Sequence, residues 1–212
     1  MILAEPVDRY LQDIRGRPDP VLAEMEAHAA RDGIPIVVPA TGQLLQVLAL
    51  ASGARRALEV GTAIGVSTLY VARALPADGT IVSFEIDPKR HAAAARYLER
   101  AGVRERADLR LQDAREGLAS LEGPFDFAFI DGVKTQYGEY FEALLPLLGP
   151  GAVLAVDNVL LSGAVAAGQS DGYWSAERVA AAREFNRLLL GHEQLLATLT
   201  PVGDGVLVAV RR

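Results

Sequence analysis

The chain has 212 residues, half of them hydrophobic, which is enough to bury one core of ordinary domain size. Its formal net charge of −6 argues against nucleic-acid or anionic-membrane partners, which need clustered Lys and Arg. It has no cysteine, so disulfides and thiolate metal sites are excluded, and no apolar run approaches the roughly 18–20 residues of a membrane span.

The first residues, Met1-Ile2-Leu3-Ala4-Glu5-Pro6, lack the basic cap and apolar stretch of a signal peptide, so a cytoplasmic location is expected. From about Pro18 to Gly33, the spacing of Val21, Leu22, Met25 and Ala29 predicts a helix. Ile36-Val37-Val38-Pro39 reads as an extended connector. Thr41 to Ala51 reads as a second helix, with Thr41 as N-cap and Leu44, Leu45 and Leu48 on its apolar side. His28, His91 and His192 are far apart and are expected on solvated helix faces.

The rhythm then changes. Strands are predicted at Ala57–Val60, Thr80–Phe84, Ala107–Leu111, Phe125–Ile130 and Ala152–Val156. Helices are predicted between them at Val66–Leu75, Pro88–Ala101, Ala114–Leu121 and Tyr137–Leu148, the last closed by Gly149-Pro150-Gly151. Apolar strands alternating with helices specify an α/β fold with a parallel sheet covered on both faces, and right-handed crossovers make it open and doubly wound. After a helix near Ala176–Leu190, two strand-like runs flank Pro201-Val202-Gly203-Asp204-Gly205, where Asp-Gly signals a hairpin. The sheet is therefore expected to end in an antiparallel pair. One domain is expected, with N-terminal helices over residues 1–56 and a Rossmann-like core over 57–212.

Ligands of such sheets sit beyond the carboxyl ends of the strands. The first such end, Glu59-Val60-Gly61-Thr62-Ala63-Ile64-Gly65, is a glycine turn but not the dinucleotide fingerprint G-x-G-x-x-G. At the second, Glu85 is placed to accept hydrogen bonds from ribose hydroxyls, while Asp87 before Pro88 reads as a helix-start acid. At the third, Asp113 either accepts from an adenine amino group or caps the helix at Ala114.

The fourth and fifth ends are Ile130-Asp131-Gly132-Val133-Lys134 and Val156-Asp157-Asn158. As neighbours they would offer the oxygens of Asp131, Asp157 and Asn158 to one hard cation: Mg²⁺, or Ca²⁺ or Mn²⁺. Asp157 and Asn158 can share an ion only if the chain turns there, because adjacent strand residues point apart. Lys134 beside such a cation would have its pKa lowered, which suits a general base; alternatively it is a surface lysine or pairs with Asp131.

These motifs resemble the cation-dependent O-methyltransferases, the group that includes caffeoyl-CoA and catechol enzymes and their bacterial relatives. The resemblance runs from about Ile36 to Arg211. It rests on Leu58-Glu59-Val60-Gly61, Phe84-Glu85-Ile86-Asp87, the run Phe125 to Asp131, Lys134-Thr135-Gln136-Tyr137, Asp157-Asn158 and Pro201-Val202-Gly203-Asp204-Gly205. It implies a seven-stranded sheet with an antiparallel last strand and S-adenosylmethionine as cofactor. It implies that Glu59, Gly61 and Ser67 line the methionine end, Glu85 holds the ribose, and Asp113 and Ala114 contact adenine. Val38 and Asp131 join the cofactor residues. Asp131, Asp157 and Asn158 would hold the metal, with Lys134 and Asp131 the catalytic pair.

The family commonly has Asp-Ala-Asp-Lys where this chain has Asp131-Gly132-Val133-Lys134, and Val133 offers less stacking to adenine than the aromatic residue of the catechol enzyme. The segment Leu161 to Ser175 reads as a substrate loop in which Tyr173 and Trp174 either wall an aromatic substrate or, for Trp174, anchor the loop. The reading implied is methyl transfer to a hydroxyl of a small catechol-like substrate, by a chain of a usually dimeric family. Its competitors are an NAD-type oxidoreductase and a non-catalytic S-adenosylmethionine-binding protein.

Overall fold

The strand-forming runs assemble into one seven-stranded sheet in a computed structural model that describes residues 4–16 and 19–212. Helices α1 (Glu5–Ile14), α2 (Pro20–Asp32) and α3 (Pro39–Ala51) precede it. Strands β1 (Arg56–Val60), β2 (Thr80–Glu85), β3 (Ala107–Leu111), β4 (Phe125–Ile130) and β5 (Leu148–Val156) alternate with helices α4 (Val66–Ala74), α5 (Pro88–Arg100), α6 (Ala114–Leu118) and α7 (Tyr137–Leu144). The short α8 (Ala164–Ala167) and α9 (Ala176–Leu190) lead to β6 (Leu195–Thr200) and β7 (Val206–Arg211).

The strand order is β3-β2-β1-β4-β5-β7-β6, and only β7 runs against its neighbours. The chain leaves β1 toward β2 on one side and returns to β4 on the other. The topological switch, where open sheets bind ligands, therefore lies between β1 and β4.

Strand alternation divides the core. Ala57, Phe127, Phe129 and Ala155 pack with α2 to α5, while Leu58, Val60, Ala128, Ile130 and Val156 pack with α6, α7 and α9. Phe127 and Phe129 are wholly buried, and truncating either to Ala costs roughly 3–5 kcal/mol.

Several expectations are corrected. Helix α1 was not foreseen; none of its residues is buried, so it carries no core-facing signature. The expected start of α2 at Pro18 lies outside the described residues; the helix begins at Pro20, capped by Asp19, which accepts from the Val21 and Leu22 amides. Thr41 does not cap α3. Pro39 opens that helix after Val38, since its preset φ and missing N–H suit a first turn, and Thr41 is buried inside.

Helix α6 stops at Leu118, short of Leu121. Helix α7 stops at Leu144, because Pro146 permits only a 3-10 turn over Leu145–Leu147. Gly149-Pro150-Gly151 is part of β5, at a register shift opposite Phe125–Phe127, where a missing ladder donor is tolerated.

The histidines are half-buried rather than solvated, because each ring has a partner. His28 Nδ1 lies 2.9 Å from the Tyr97 hydroxyl. His91 Nε2 lies 3.2 Å from the Leu109 carbonyl oxygen, and the His192 ring packs edge-on against Phe141. Among the described residues no helix is long and apolar enough to cross a membrane.

Candidate active site

Register brings the strand-end residues into line. Val60 pairs with Phe84 on one side and Ile130 on the other, and Ile130 pairs with Val156. One residue further along each strand stand Glu85, Gly61, Asp131 and Asp157. The ladder continues through this row: the Gly61 amide donates to Phe84 O at 3.2 Å, Asp131 to Val60 O at 2.9 Å, and Asp157 to Ile130 O at 3.0 Å. Neighbouring strands lie about 4.7–4.9 Å apart, so the row spans four adjacent strands at the switch. Val60, Phe84, Ile130 and Val156 face the α6/α7/α9 core, which leaves the next row facing α4.

Gly61 needs to be glycine. Its φ is +98°, and a Cβ there would lie 2.3 Å from the Asp131 carbonyl oxygen. The turn therefore rests directly on the β4 end.

Beneath the turn, Glu59 is fully buried. Its Oε2 accepts from Thr68 Oγ1 and Ser83 Oγ, each at 2.5 Å, and Ser83 meets the Thr62 hydroxyl at 2.5 Å. Its Oε1 has no hydrogen-bond partner. Burial pushes its carboxyl above the usual range, against the nearby Ser67, Ser83 and Thr68 hydroxyls. Glu59 thus ties β1 to β2 and α4, and Ser67 sits buried in the first turn of α4.

Glu85 is held by three amides: Ala63 to Oε2 at 2.8 Å, and Ile86 and Asp87 to Oε1 at 2.9 Å each. Asp87 caps α5 through the Lys89 and Arg90 amides, as its helix-start position implied. Asp113 takes the cap role at α6. It accepts from the Arg115 amide at 2.9 Å and the Arg115 guanidinium at 2.8 Å, and that arginine holds its carboxyl below the usual range. Ala114 follows as the first, buried residue of α6.

At the other end of the row, Asp131 Oδ1 accepts from Lys134 Nζ at 2.7 Å. Lys134 also donates to Gly132 O at 3.2 Å and lies 5.2 Å from the centre of the Tyr137 ring. Burial alone would lower its pKa, but Tyr137 and the Asp131 carboxylate outweigh it and hold the ammonium above the ordinary lysine range. The pairing of Lys134 with Asp131 is thus present in the structure.

Asp157 is 4% exposed, and its Oδ1 accepts from the Asn158 amide at 2.8 Å. Burial first, then the charge of Asp131, push its carboxyl up to about 8. Asn158 has φ +56°, so the chain turns there, as a shared ion requires. Asp157, raised by the charge of Asp131, together with Asp131 and the Asn158 carboxamide offers hard oxygens of the kind a divalent cation fits. Among the described residues there is no group of three or more His, Cys, Asp or Glu placed to hold a metal.

Sequence reasoning missed two supports. The Tyr137 hydroxyl donates to Asp157 O at 3.1 Å; its spacing after Lys134 was visible, but its role was not. The β6–β7 turn, read as a hairpin and as one motif of the resemblance, reaches the site. Asp204 accepts from Ser162 Oγ at 2.8 Å, and the Asp204 and Gly205 carbonyls accept from the Leu160 and Val159 amides. Gly203 lies against Val38 and Thr41, so this turn joins the start of α3 to the segment after Asn158.

Val38 and Val133 are both about half exposed. In the substrate loop, Trp174 is 8% exposed and packs with Leu161, Ala164, Val165, Val179 and Ala182. It anchors the loop rather than walling a cleft, whereas Tyr173 is 80% exposed. An open cleft of about 500 Å³ between Gly168–Gln169 and α9 contains none of the expected site residues.

The sequence profile of a family of O-methyltransferases matches residues 16–212. A catechol O-methyltransferase from Niastella koreensis is 37% identical, over 97% of this chain and 96% of that protein. The O-methyltransferase from Bacillus cereus, solved in complex with SAH, is 33% identical with a TM-score of 0.85, covering 98% of this chain and 97% of that one. The O-methyltransferase TomG from Streptomyces achromogenes, involved in tomaymycin synthesis and solved with SAM, is 33% identical with a TM-score of 0.83, covering 99% of both chains.

Proposed function

The chain belongs to the O-methyltransferase family and is dependent on S-adenosylmethionine; from that premise we propose that it methylates one hydroxyl of a catechol-like aromatic substrate. In this reading Asp131, Asp157 and Asn158 hold a divalent cation, Mg²⁺ before Ca²⁺ or Mn²⁺, and Lys134 is the general base. The observation that carries the reading is the strand-end row, which sets Asp131, paired with Lys134, one strand from the glycine turn and Asp157 at the end of the next strand.

When bound, S-adenosylmethionine supplies an electrophilic methyl group and the cation supplies a Lewis acid that favours the phenolate. The chain's own residues do the rest. Gly61 and the α4 start make room for the methionine end. Glu85, fixed by its three amides, offers its remaining lone pairs to the ribose hydroxyls. Asp113, held in place by Arg115, and Ala114 contact the adenine. Lys134 Nζ accepts the phenolic proton only when the Asp131 carboxylate is engaged elsewhere, because the free pair keeps it an ammonium. Alignment of the two reacting groups contributes roughly 7–11 kcal/mol in favourable cases.

Methyl transfer to catechol, compared with phenol, in Mg²⁺ and in chelator tests the reading. It expects turnover of catechol only with Mg²⁺ and poor use of phenol, which lacks the second oxygen. Equal rates in chelator would remove the cation from the mechanism. A homodimer is part of the same reading. It is supported by Val7, Tyr10, Leu11 and Ile14, exposed on one face of α1, and is checked by the mass in sedimentation.

A further inference from the structure

We infer that Asn186 is a positioning residue for the proposed cation ligands: its carboxamide pins the backbone at Val159 and thereby fixes how Asp157 and Asn158 present their oxygens. The inference rests on the cation reading above.

Asn186 lies on the buried face of α9, among Val179, Ala182, Phe185 and Leu189, and is itself 6% exposed. Packing alone would put an apolar side chain there. Asparagine is a poor residue for a helix interior, and burying its amide is unfavourable unless it is hydrogen-bonded. The amide makes one bond: Nδ2 donates to Val159 O at 2.7 Å, while Oδ1 has no partner. The acceptor is a carbonyl, so the nitrogen must face it.

Val159 directly follows Asn158, whose backbone is held at φ +56°. On the other side of Asn158, the Tyr137 hydroxyl donates to Asp157 O at 3.1 Å. The Val159 amide donates to Gly205 O at 3.0 Å. Residues 157–159 are thus tied by Tyr137, by the β6–β7 turn and by α9. Phe185, beside Asn186, packs edge-on against Tyr137 with ring centres 5.5 Å apart. One turn of α9 therefore backs both side-chain ties. Loss of the Asn186 tie lets Asn158 relax from its left-handed conformation and turn its carboxamide away from Asp157 and Asp131.

The test is Mn²⁺ binding to the full chain saturated with SAH, read from the electron paramagnetic resonance of free Mn²⁺. Asn186→Leu keeps the branched shape and removes the donor, and Asn186→Ala removes it by truncation, so either folded variant suffices. Circular dichroism checks folding, and calorimetry checks that SAH affinity is kept. The wild type is expected to bind one Mn²⁺. The variants are expected to weaken that site about 10- to 100-fold, as removal of outer supports to metal ligands does. The Mn²⁺ concentration for half-maximal methyl transfer should rise by the same factor. Wild-type Mn²⁺ affinity in a folded variant overturns the role of Asn186. Failure of the wild type itself to bind Mn²⁺ overturns the cation reading, and this inference with it.

Discussion

The substitution Asp157→Asn keeps the side chain's shape and an oxygen for the Asn158 amide, which lies 2.8 Å from Oδ1, but removes the charge. The Asp157 carboxyl is pushed up to about 8 by burial and by Asp131, against about 3.9 in an unfolded chain. Between those values the folded state holds a proton that the unfolded state has released. The stability carried by that proton is fully present below about pH 4 and is lost as pH rises through about 8. Four units at about 1.4 kcal/mol each set a ceiling near 6 kcal/mol. Relaxation at a strand end reduces the penalty for the buried charge to about 2–4 kcal/mol. At about 2–4 °C per kcal/mol for a chain of this size, the variant should melt roughly 5–15 °C above wild type near pH 9 in chelator. The gap should close as pH falls toward 4. The same variant should have no Mg²⁺-dependent turnover. Differential scanning fluorimetry across pH reads the first effect and methyl transfer the second. A variant melting at or below wild type near pH 9 refutes the premise that Asp157 is held strained until a cation arrives.

Other substitutions probe the rest of the row. Gly61→Ala places a Cβ 2.3 Å from the Asp131 carbonyl oxygen at φ +98°; strain and clash together should cost about 2–5 kcal/mol and abolish SAH binding, measured by thermal melts and calorimetry. Lys134→Met should lower kcat about 10²- to 10⁴-fold with SAH affinity retained, a split that stopped-flow and equilibrium binding separate. Glu85→Ala removes the acceptor aligned by Ala63, Ile86 and Asp87; SAH should bind about 10- to 100-fold more weakly, as for loss of a charged hydrogen-bond partner. Unaltered affinity there would move the ribose contact to another residue.

The alternating fold was legible because buried parallel strands such as Phe125–Ile130 are continuous apolar runs, and Pro88 marks a helix start by local chemistry alone. The strand-end acids were legible for a related reason: charge at the end of an apolar strand has few structural uses. What failed depended on context. Gly149-Pro150-Gly151 reads as a helix stop unless the β4–β5 register shift that absorbs it is known. Thr41 resembles a cap until Pro39 is seen to open the helix. Trp174 could have faced a ligand or a core, and only its packing against Val179 and Ala182 decides. Tyr137, Asn186 and Asp204 act through partners 20 or more residues away in sequence, so no local pattern reveals them.

The claim on which the account stands is tested most directly by anomalous diffraction from crystals grown with Mn²⁺, SAH and catechol. The account predicts one strong peak within about 2.0–2.6 Å of oxygens from Asp131, Asp157 and Asn158, with both catechol oxygens on the same ion. A peak elsewhere, or an ordered catechol and SAH with no ion between these three side chains, would contradict it.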